Sequence, residues 1–524
     1  MTAPNGIMPQ MANDAPASPS VDDLINSMAL GPSTNQWDII CSYSLDKLNK
    51  ILEDTYNSSG SGIAKEVKIS TLRNDPLTGT NFTIDYDIIF GAPSLEFTAG
   101  VNGMCNLSME ILSGTYTVTP EGSTPGKART IPDKKYSVTG DFPLVAVYGD
   151  QHQTAESGTV IVFSPQKSDT AHITLHFSQT SSAAWGISPS PEPGDKDPLE
   201  TYFLPVLDQY FRDNIKEIDY TLTSLSNELQ QTTLNEIIIE PLAFVFATSG
   251  DKTNGILSLY IQTANSGNEK GNLTPSFQPG DKATLPIPQG HHASLILSRD
   301  FLQQVYIIPQ LQNTKFINLT KSVAPISTTN SGCTVKGAYN SNQHMGSSLA
   351  DFGFDQVDFD PVNFDYTTAP FTFCFSQNLL NIKMLMTVSI PWTSSTVTPY
   401  GPMEGPSGTA SVTISLNKNF DLPSICKLTD QDISMSFSLA SSDYTVSIQP
   451  GTDDSCWNSR MGSKVTSGVS SKIGGIIPPI KFSLSGINFF KETNLLFPGK
   501  KVLSFDSTIG IHIPCDLILV GDFL

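Results

Sequence analysis

Apolar and polar residues alternate with a period of two over most of the chain. The alternation is clearest at Phe82, Ile84, Tyr86 and Ile88, and again at Met384, Met386, Val388, Ile390 and Trp392. This pattern is typical of β-strands that have one buried and one exposed face. The 524 residues also include 38 Gly and 36 Pro spread along the chain, which indicates many turns and argues against a coiled coil or a helical bundle.

Helical spacing is confined to a few segments. Leu45, Leu48, Ile51, Leu52 and Tyr56 form one apolar stripe, and Ser44 precedes them as a plausible N-cap. A second helix begins at Asp197 and Pro198. Its broad apolar face consists of Leu199, Tyr202, Phe203, Val206, Leu207, Tyr210, Phe211 and Ile215. A third, shorter helix begins at Ser298 and is predicted to end at Pro309, because proline disrupts a helix interior.

The predicted strands outnumber the predicted helices several to one. We therefore expect an α+β fold in which curved antiparallel sheets wrap around helices. The stretch Thr393 to Thr409 is rich in Pro, Gly and Ser, so it is predicted to be a long exposed loop.

Residues 1–35 are predicted to form a disordered leader, because they are rich in Pro and Ala and contain too little apolar surface to offset ordering. Within them, Val21, Leu24, Ile25 and Met28 have the spacing of a short amphipathic helix. We expect a frayed, solvated turn, because so short a helix is marginal alone. The alternative is a helix that docks on the chain's own body or on a partner.

The charge balance restricts the partners and the location. With 50 acidic and 30 basic residues, the net charge is −20, which repels phosphate backbones, so we expect no nucleic-acid partner. No apolar run approaches the ~20 residues of a transmembrane span, and the N-terminus has no signal-peptide pattern. We expect a soluble cytoplasmic protein, or one released by a route that needs no signal peptide. Seven scattered cysteines without a CxxC pair are interpreted as buried, reduced thiols.

Motifs that carry chemistry are absent from the sequence. We find no phosphate-binding loop, zincin motif or nucleophile elbow. We therefore predict a protein that is not an enzyme, with no catalytic residues, metal or cofactor; a pair of glycosidase carboxylates stays open, because such pairs have no fixed spacing. Asp351, Asp355, Asp358, Asp360 and Asp365 could surround calcium, but a solvated acidic face is the favoured interpretation.

Several segments together resemble the clostridial P-47 and OrfX-like proteins of toxin gene clusters, which belong to the tubular lipid-binding (TULIP) superfamily. The segments are Trp37 to Ile40 with the helix Leu45 to Tyr56, Leu199 to Ile215, Pro241 to Ala247 with Leu257 to Ile261, Leu295 to Leu302, and Ile509 to Leu519. The resemblance implies an elongated body in which long helices are wrapped by highly curved antiparallel sheets. It also implies lipid binding or an accessory role in a toxin system, without enzymatic activity.

These observations lead to one leading hypothesis and one alternative. The leading hypothesis is a non-enzymatic protein that sequesters a lipid or fatty acid between helix and sheet. The candidate lining residues are Leu48, Ile51, Leu52, Tyr56, Leu199, Tyr202, Phe203, Val206, Tyr210 and Phe211. The alternative is a structural subunit of a toxin complex that binds a co-expressed protein and no lipid. Two modules are predicted, at residues 36–250 and 251–524.

Overall fold

The computed structural model describes most of the chain. The described residues are 18–58, 65–74, 78–149, 153–164, 167–176, 186–188, 199, 204–207, 209, 219–229, 238–251, 253–267, 274–280, 284–322, 332–346, 348–351, 355–359, 361–429, 432–449, 477–498 and 502–523. Their strands form five sheets, and the strand pairs are antiparallel.

A seven-stranded sheet joins strands that are far apart in sequence. In spatial order, its strands are β30 (Leu503–Phe505), β31 (Leu517–Phe523), β15 (Ala293–Leu297), β1 (Ile39–Ser44), β14 (Ile256–Thr263), β13 (Pro241–Ser249) and β9 (Ile161–Val162). The central strands are buried on both faces, which accounts for their continuous apolar runs. Strands β13 and β14 lie on either side of residue 250, the predicted boundary between the two modules, and they pair with each other. The division into two modules stays a prediction.

An eleven-stranded sheet is built from the first half of the chain, apart from one short strand near the C-terminus. Its main path is β2 (Glu66–Asn74), β3 (Asn81–Phe90), β5 (Met104–Pro120), β7 (Ser137–Tyr148), β10 (Thr170–His176), β12 (Asp219–Ser226) and β29 (Leu495–Leu496). Four short strands pair off this path: β4 (Ser94–Phe97), β6 (Arg129–Ile131), β8 (Gln153–Glu156) and β11 (Gly186–Ser188). Along β3 the predicted alternation is confirmed, since Ile84, Tyr86 and Ile88 are buried between exposed residues.

The second half of the chain supplies an eight-stranded sheet and two small ones. The large sheet contains β16 (Phe316–Ser322), β17 (Cys333–Tyr339), β22 (Pro370–Ser376), β23 (Leu379–Thr398), β20 (Asp355–Phe359), β19 (Ser348–Asp351), β24 (Gly401–Asp421) and β27 (Tyr444–Gln449). The small sheets are β18 (Asn342–Met345) with β21 (Val362–Asp365), and β25 (Cys426–Leu428) with β26 (Ile433–Phe437) and β28 (Ile480–Ser483).

The predicted α+β fold with long helices wrapped by sheets is wrong, because the long elements are strands. The longest unbroken α-helix in the described part of the chain, α2 (Leu45–Asn57), has 13 residues, or about 20 Å. Strand β24 has 21 residues, or about 70 Å. Shorter helical segments are α1 (Val21–Met28), Arg299–Phe301, Ile308–Asn313, Leu422–Ile425 and Ser485–Phe489, with 3-10 turns at Tyr366–Thr368 and Ser441–Asp443 and π-helical turns at Leu302–Ile307 and Phe490–Asn494.

Helix α2 forms where the sequence predicts it. Ser44 caps this helix by accepting a hydrogen bond from the Lys47 amide at 3.3 Å. The Lys47 ammonium lies 2.8 Å from Asp522 of β31. Asn49 exchanges two hydrogen bonds with the backbone of Leu95 in β4, at 2.9 and 2.8 Å. These contacts fix α2 between the seven-stranded and the eleven-stranded sheets.

The helix that begins at Ser298 does not end at Pro309. It continues through the π-helical turn Leu302–Ile307 into Ile308–Asn313, where Pro309 occupies one of the first two positions. A proline is tolerated there because its missing N–H falls at the start of a new α-helical turn. Gln310 then exchanges hydrogen bonds with the backbone of Ser483 in β28 at 2.6 and 3.0 Å, which anchors the helix.

The preference for a solvated turn at residues 21–28 is also wrong. Val21–Met28 is a helix, and Ser20 caps it by accepting a hydrogen bond from the Asp23 amide. Leu24 and Met28 are buried against the outer face of the seven-stranded sheet. That face carries Ile40, Val245, Tyr260, Ile296, Ile518 and Val520. Tertiary packing therefore supplies the stability that so short a helix lacks alone.

A buried carboxylate fastens the segment after α1. Asp516 accepts hydrogen bonds from the Ser33 amide at 2.6 Å, the Ser33 hydroxyl at 2.7 Å and the Arg299 amide at 2.7 Å. Burial raises the pKa of Asp516, although the hydrogen bonds and the positive charge of Arg299 favour its ionised form. Asp516 thus connects the N-terminal segment, the helix after Ser298 and the C-terminal strands.

Candidate functional site

The predicted lipid-lining residues that the structure describes share one continuous core. Leu48, Ile51 and Leu52 of α2 are buried in it, as is Leu199. Tyr56 and Val206 are half-buried and pack against the same core. The other four predicted lining residues, Tyr202, Phe203, Tyr210 and Phe211, lie outside the described residues.

At the C-terminal end of α2, this apolar core reaches the surface. Leu52 is buried, while one turn later Tyr56 is half-buried, and Val67 of β2 is half-buried against the same core. The Tyr56 hydroxyl donates a hydrogen bond to the Phe90 carbonyl oxygen at 2.5 Å, which fixes the ring. The ammonium of Lys65 lies 4.8 Å from the centre of that ring. The rim therefore combines apolar side chains with one positive charge.

A pocket of about 230 Å³ lies at the N-terminal end of α2. Ser44, Asp46, Gln289 and His292 are among its lining residues. The Ser44 hydroxyl oxygen lies 3.0 Å from His292 Nδ1, but the same hydroxyl caps α2. The Ser44–His292 pair thus has a structural role, and the pocket is smaller than the ~300 Å³ at which ligand sites usually begin.

A second pocket, of about 430 Å³, lies on the β23–β24 hairpin. Its lining is polar and includes Gln356, Asp358, Ser395, Glu404 and Ser407. Lipid chains are held by apolar linings, so this pocket does not suit an acyl chain. Its carboxylates and hydroxyls suit a cationic or hydroxyl-rich group.

The structure bears on the metal and cysteine predictions for the described residues only. Among them, no group of three or more His, Cys, Asp or Glu side chains is arranged to hold a metal ion. Asp351, Asp358 and Asp365 of the acidic run are separated onto β19, β20 and β21.

Cys41, Cys105, Cys333, Cys374, Cys426 and Cys515 are free thiols, while Cys456 lies outside the described residues. Burial raises the pKa of Cys41, Cys426 and Cys515 to about 12, so these thiols are poor nucleophiles.

The tip of the β23–β24 hairpin is a surface feature that the sequence analysis missed. The stretch predicted as a loop, Thr393 to Thr409, instead continues both strands to a two-residue turn at Pro399 and Tyr400. Tyr400 is fully exposed and Met403 is 63% exposed. The sequence signal for this tip is the absence of charged residues from Met384 to Met403.

The longest unbroken α-helix among the described residues has 13 residues. None of the helices there is long and apolar enough to cross a bilayer. This agrees with the sequence, in which no apolar run approaches that length.

Comparison with known proteins gives matches among solved structures alone. No known protein family matches the chain, and no curated protein matches it. The chain is similar to P47 from Clostridium botulinum A2, with 14% sequence identity, 94% of this chain and 98% of that chain covered, and a TM-score of 0.49. It is also similar to P47 of Clostridium botulinum E1, with 12% identity, 93% and 99% of the two chains covered, and a TM-score of 0.45. Both of these solved structures are P47 proteins of Clostridium botulinum.

Proposed function

We propose that the chain is a non-enzymatic lipid-binding protein that holds an acyl chain beside the C-terminal half of α2. The observation that carries this proposal is that buried Leu52 and half-buried Tyr56 lie one turn apart on α2, on a core against which half-buried Val206 also packs. An acyl chain that covers the exposed parts of these side chains would gain about 0.8 kcal/mol for each buried methylene group.

The charge at this rim favours a lipid with an anionic head. Lys65 is exposed beside Tyr56, so its ammonium is available to a carboxylate or phosphate. The Tyr56 hydroxyl is already bound to Phe90, so it contributes its ring and not a free hydrogen-bonding group. A fatty acid fits this arrangement, with its chain along α2 and its carboxylate near Lys65.

Replacing Val206 with Trp tests the proposal. A bulky ring at this half-buried position should occupy the space of the acyl chain, so we expect affinity for a fluorescent fatty acid to fall about tenfold or more. The matched control is Val446→Trp, because Val446 is also half-buried against the same core but lies on β27. Equal affinity in the two variants, or the same loss of thermal stability without a difference in binding, would contradict the acyl-chain site.

A second candidate function, a structural subunit of a toxin complex that binds a protein partner, is favoured by the edge strand β2. Among the described residues, β2 pairs with β3 alone, and Leu72 on it is 70% exposed. A partner strand could add to this edge, and the acidic surface would favour a basic partner. Salt-sensitive association with a basic partner that persists in Val206→Trp would support this function over lipid binding.

A further inference from the structure

We propose that the tip of the β23–β24 hairpin, residues 397–403, inserts into the interface of a zwitterionic phospholipid bilayer. This inference goes beyond the acyl-chain site and does not depend on it. It rests on the shape of the tip, its apolar side chains and the position of the nearest charges.

Apolar side chains cover both faces of the tip. Tyr400 is 100% exposed, Met403 63% and Val397 38%. Val397 pairs with Pro402, and Thr396 pairs with Met403. Neighbouring pairs of a ladder point to opposite faces, so Val397 and Met403 lie on different sides. The tip is thus an apolar wedge with a tyrosine at its end, and tyrosine favours the boundary between lipid and water.

Among the described residues, the tip extends beyond the strands that flank it. On one side, β20 stops pairing with β23 at Asp355 and Thr396. On the other side, β27 stops pairing with β24 at Gln449 and Ser411. Two residue pairs and the turn remain beyond Thr396, which gives a projection of about 10 Å. This length matches the depth of about 5–10 Å to which interfacial segments enter a bilayer.

A protein partner fits this tip less well than a membrane. A stable protein interface needs roughly 800 Å² on each partner, and a convex two-residue turn presents far less surface. Strand addition to β24 is opposed by Pro402 and Pro406, because each lacks the N–H that a new ladder would require. A bilayer can close around a convex wedge, because it requires neither a large flat interface nor free backbone N–H groups.

The charges behind the tip select the lipid class. Asp358 and Glu404 line the polar pocket below the tip, and Lys or Arg residues are absent from that lining. When the tip enters the interface, these carboxylates come to the level of the headgroups. Their negative charge favours the ammonium groups of choline or ethanolamine and repels anionic headgroups, as does the net charge of −20.

Vesicle flotation of the full chain tests the inference. We expect the wild-type protein to float with phosphatidylcholine vesicles and to bind phosphatidylglycerol vesicles more weakly. The double variant Tyr400→Ser, Met403→Ser should lose about tenfold or more of its partitioning into phosphatidylcholine. The matched control is Leu385→Ser, since Leu385 is 59% exposed on β23 away from the tip, and it should partition as the wild type does.

Several results would overturn the inference. They are the failure of the wild type to float with phosphatidylcholine, an unchanged partitioning of the double variant, an equal loss in Leu385→Ser, or a tip that binds a purified protein and no vesicle. Val206→Trp separates this inference from the proposed function. If membrane insertion by the tip does not depend on the acyl-chain site, Val206→Trp floats with the vesicles as the wild type does, whether or not it binds fatty acid.

Discussion

Replacing Met28 with Asp is expected to lower the free energy of unfolding by about 3–5 kcal/mol and to detach α1 from the seven-stranded sheet. Met28 is fully buried, so the variant must either bury a carboxylate without a partner or release the helix. Release would expose the apolar face that contains Ile40, Tyr260 and Val520. Denaturant unfolding measures the energy, and increased binding of an apolar dye reports the exposed face.

The control for this prediction lies on the same helix. Asn26 is exposed, so Asn26→Asp adds the same charge without burying it and should change stability by no more than about 0.5 kcal/mol. If Met28→Asp were as stable as Asn26→Asp and bound no additional dye, α1 would not be an integral cover of the sheet.

Replacing Asp516 with Ala is the second change with a large expected effect. The variant leaves the Ser33 amide, the Ser33 hydroxyl and the Arg299 amide without their acceptor. Each unsatisfied buried donor costs about 1–3 kcal/mol, and relief of the buried charge offsets part of this. We expect a net loss of about 3 kcal/mol at neutral pH, measured by denaturant unfolding, with faster hydrogen exchange at Ser33.

The pH dependence of Asp516→Asn provides an independent check. Because burial raises the pKa of Asp516 above 3.8, folding favours its protonated form. The stabilisation that protonated Asp516 contributes is fully present below pH 3.8. It is lost as the pH rises through the pKa that Asp516 has in the folded protein. The stability of the wild type relative to Asp516→Asn should therefore decrease as the pH rises from 3.8. If the difference in the free energy of unfolding between the wild type and Asp516→Asn stayed constant or increased with pH, the Asp516 carboxylate would not be destabilised by burial.

Local patterns predicted much of the secondary structure. The period-two alternation marks the strands correctly because one face of β3 or β23 packs on the core and the other meets solvent. The cap and stripe of α2 are also predicted, since Ser44 and the spacing of Leu48, Ile51 and Leu52 are local features. These predictions depend on residues within one turn or one strand of each other.

The errors arise where contacts between separate elements decide the structure. α1 is folded because it packs on the outer sheet face, most of which is far away in sequence, and because Asp516 fastens the segment that follows it. The stretch Thr393 to Thr409 is a hairpin because its two strands pair with each other, despite their Pro and Gly content. The relative lengths of helices and strands, which overturned the predicted fold class, also depend on pairing between strands.

For the candidate lining residues too, the sequence predicts the local features but not those that depend on packing. Their apolar spacing places Leu48, Ile51 and Leu52 on the inner face of α2, and the structure agrees. Spacing does not give the volume left between packed side chains, so it cannot distinguish a core from a lipid site. That distinction requires the occupant itself.

Native mass spectrometry of the full chain, purified without detergent, tests the central proposal most directly. The lipid-binding proposal predicts a stoichiometric mass increase that solvent extraction removes and that matches a fatty acid or another acyl lipid. It also predicts that Val206→Trp lacks this increase while Val446→Trp retains it. A wild-type chain of apo mass, unchanged after incubation with fatty acid and phospholipid vesicles, would contradict the proposal and favour the protein-binding function.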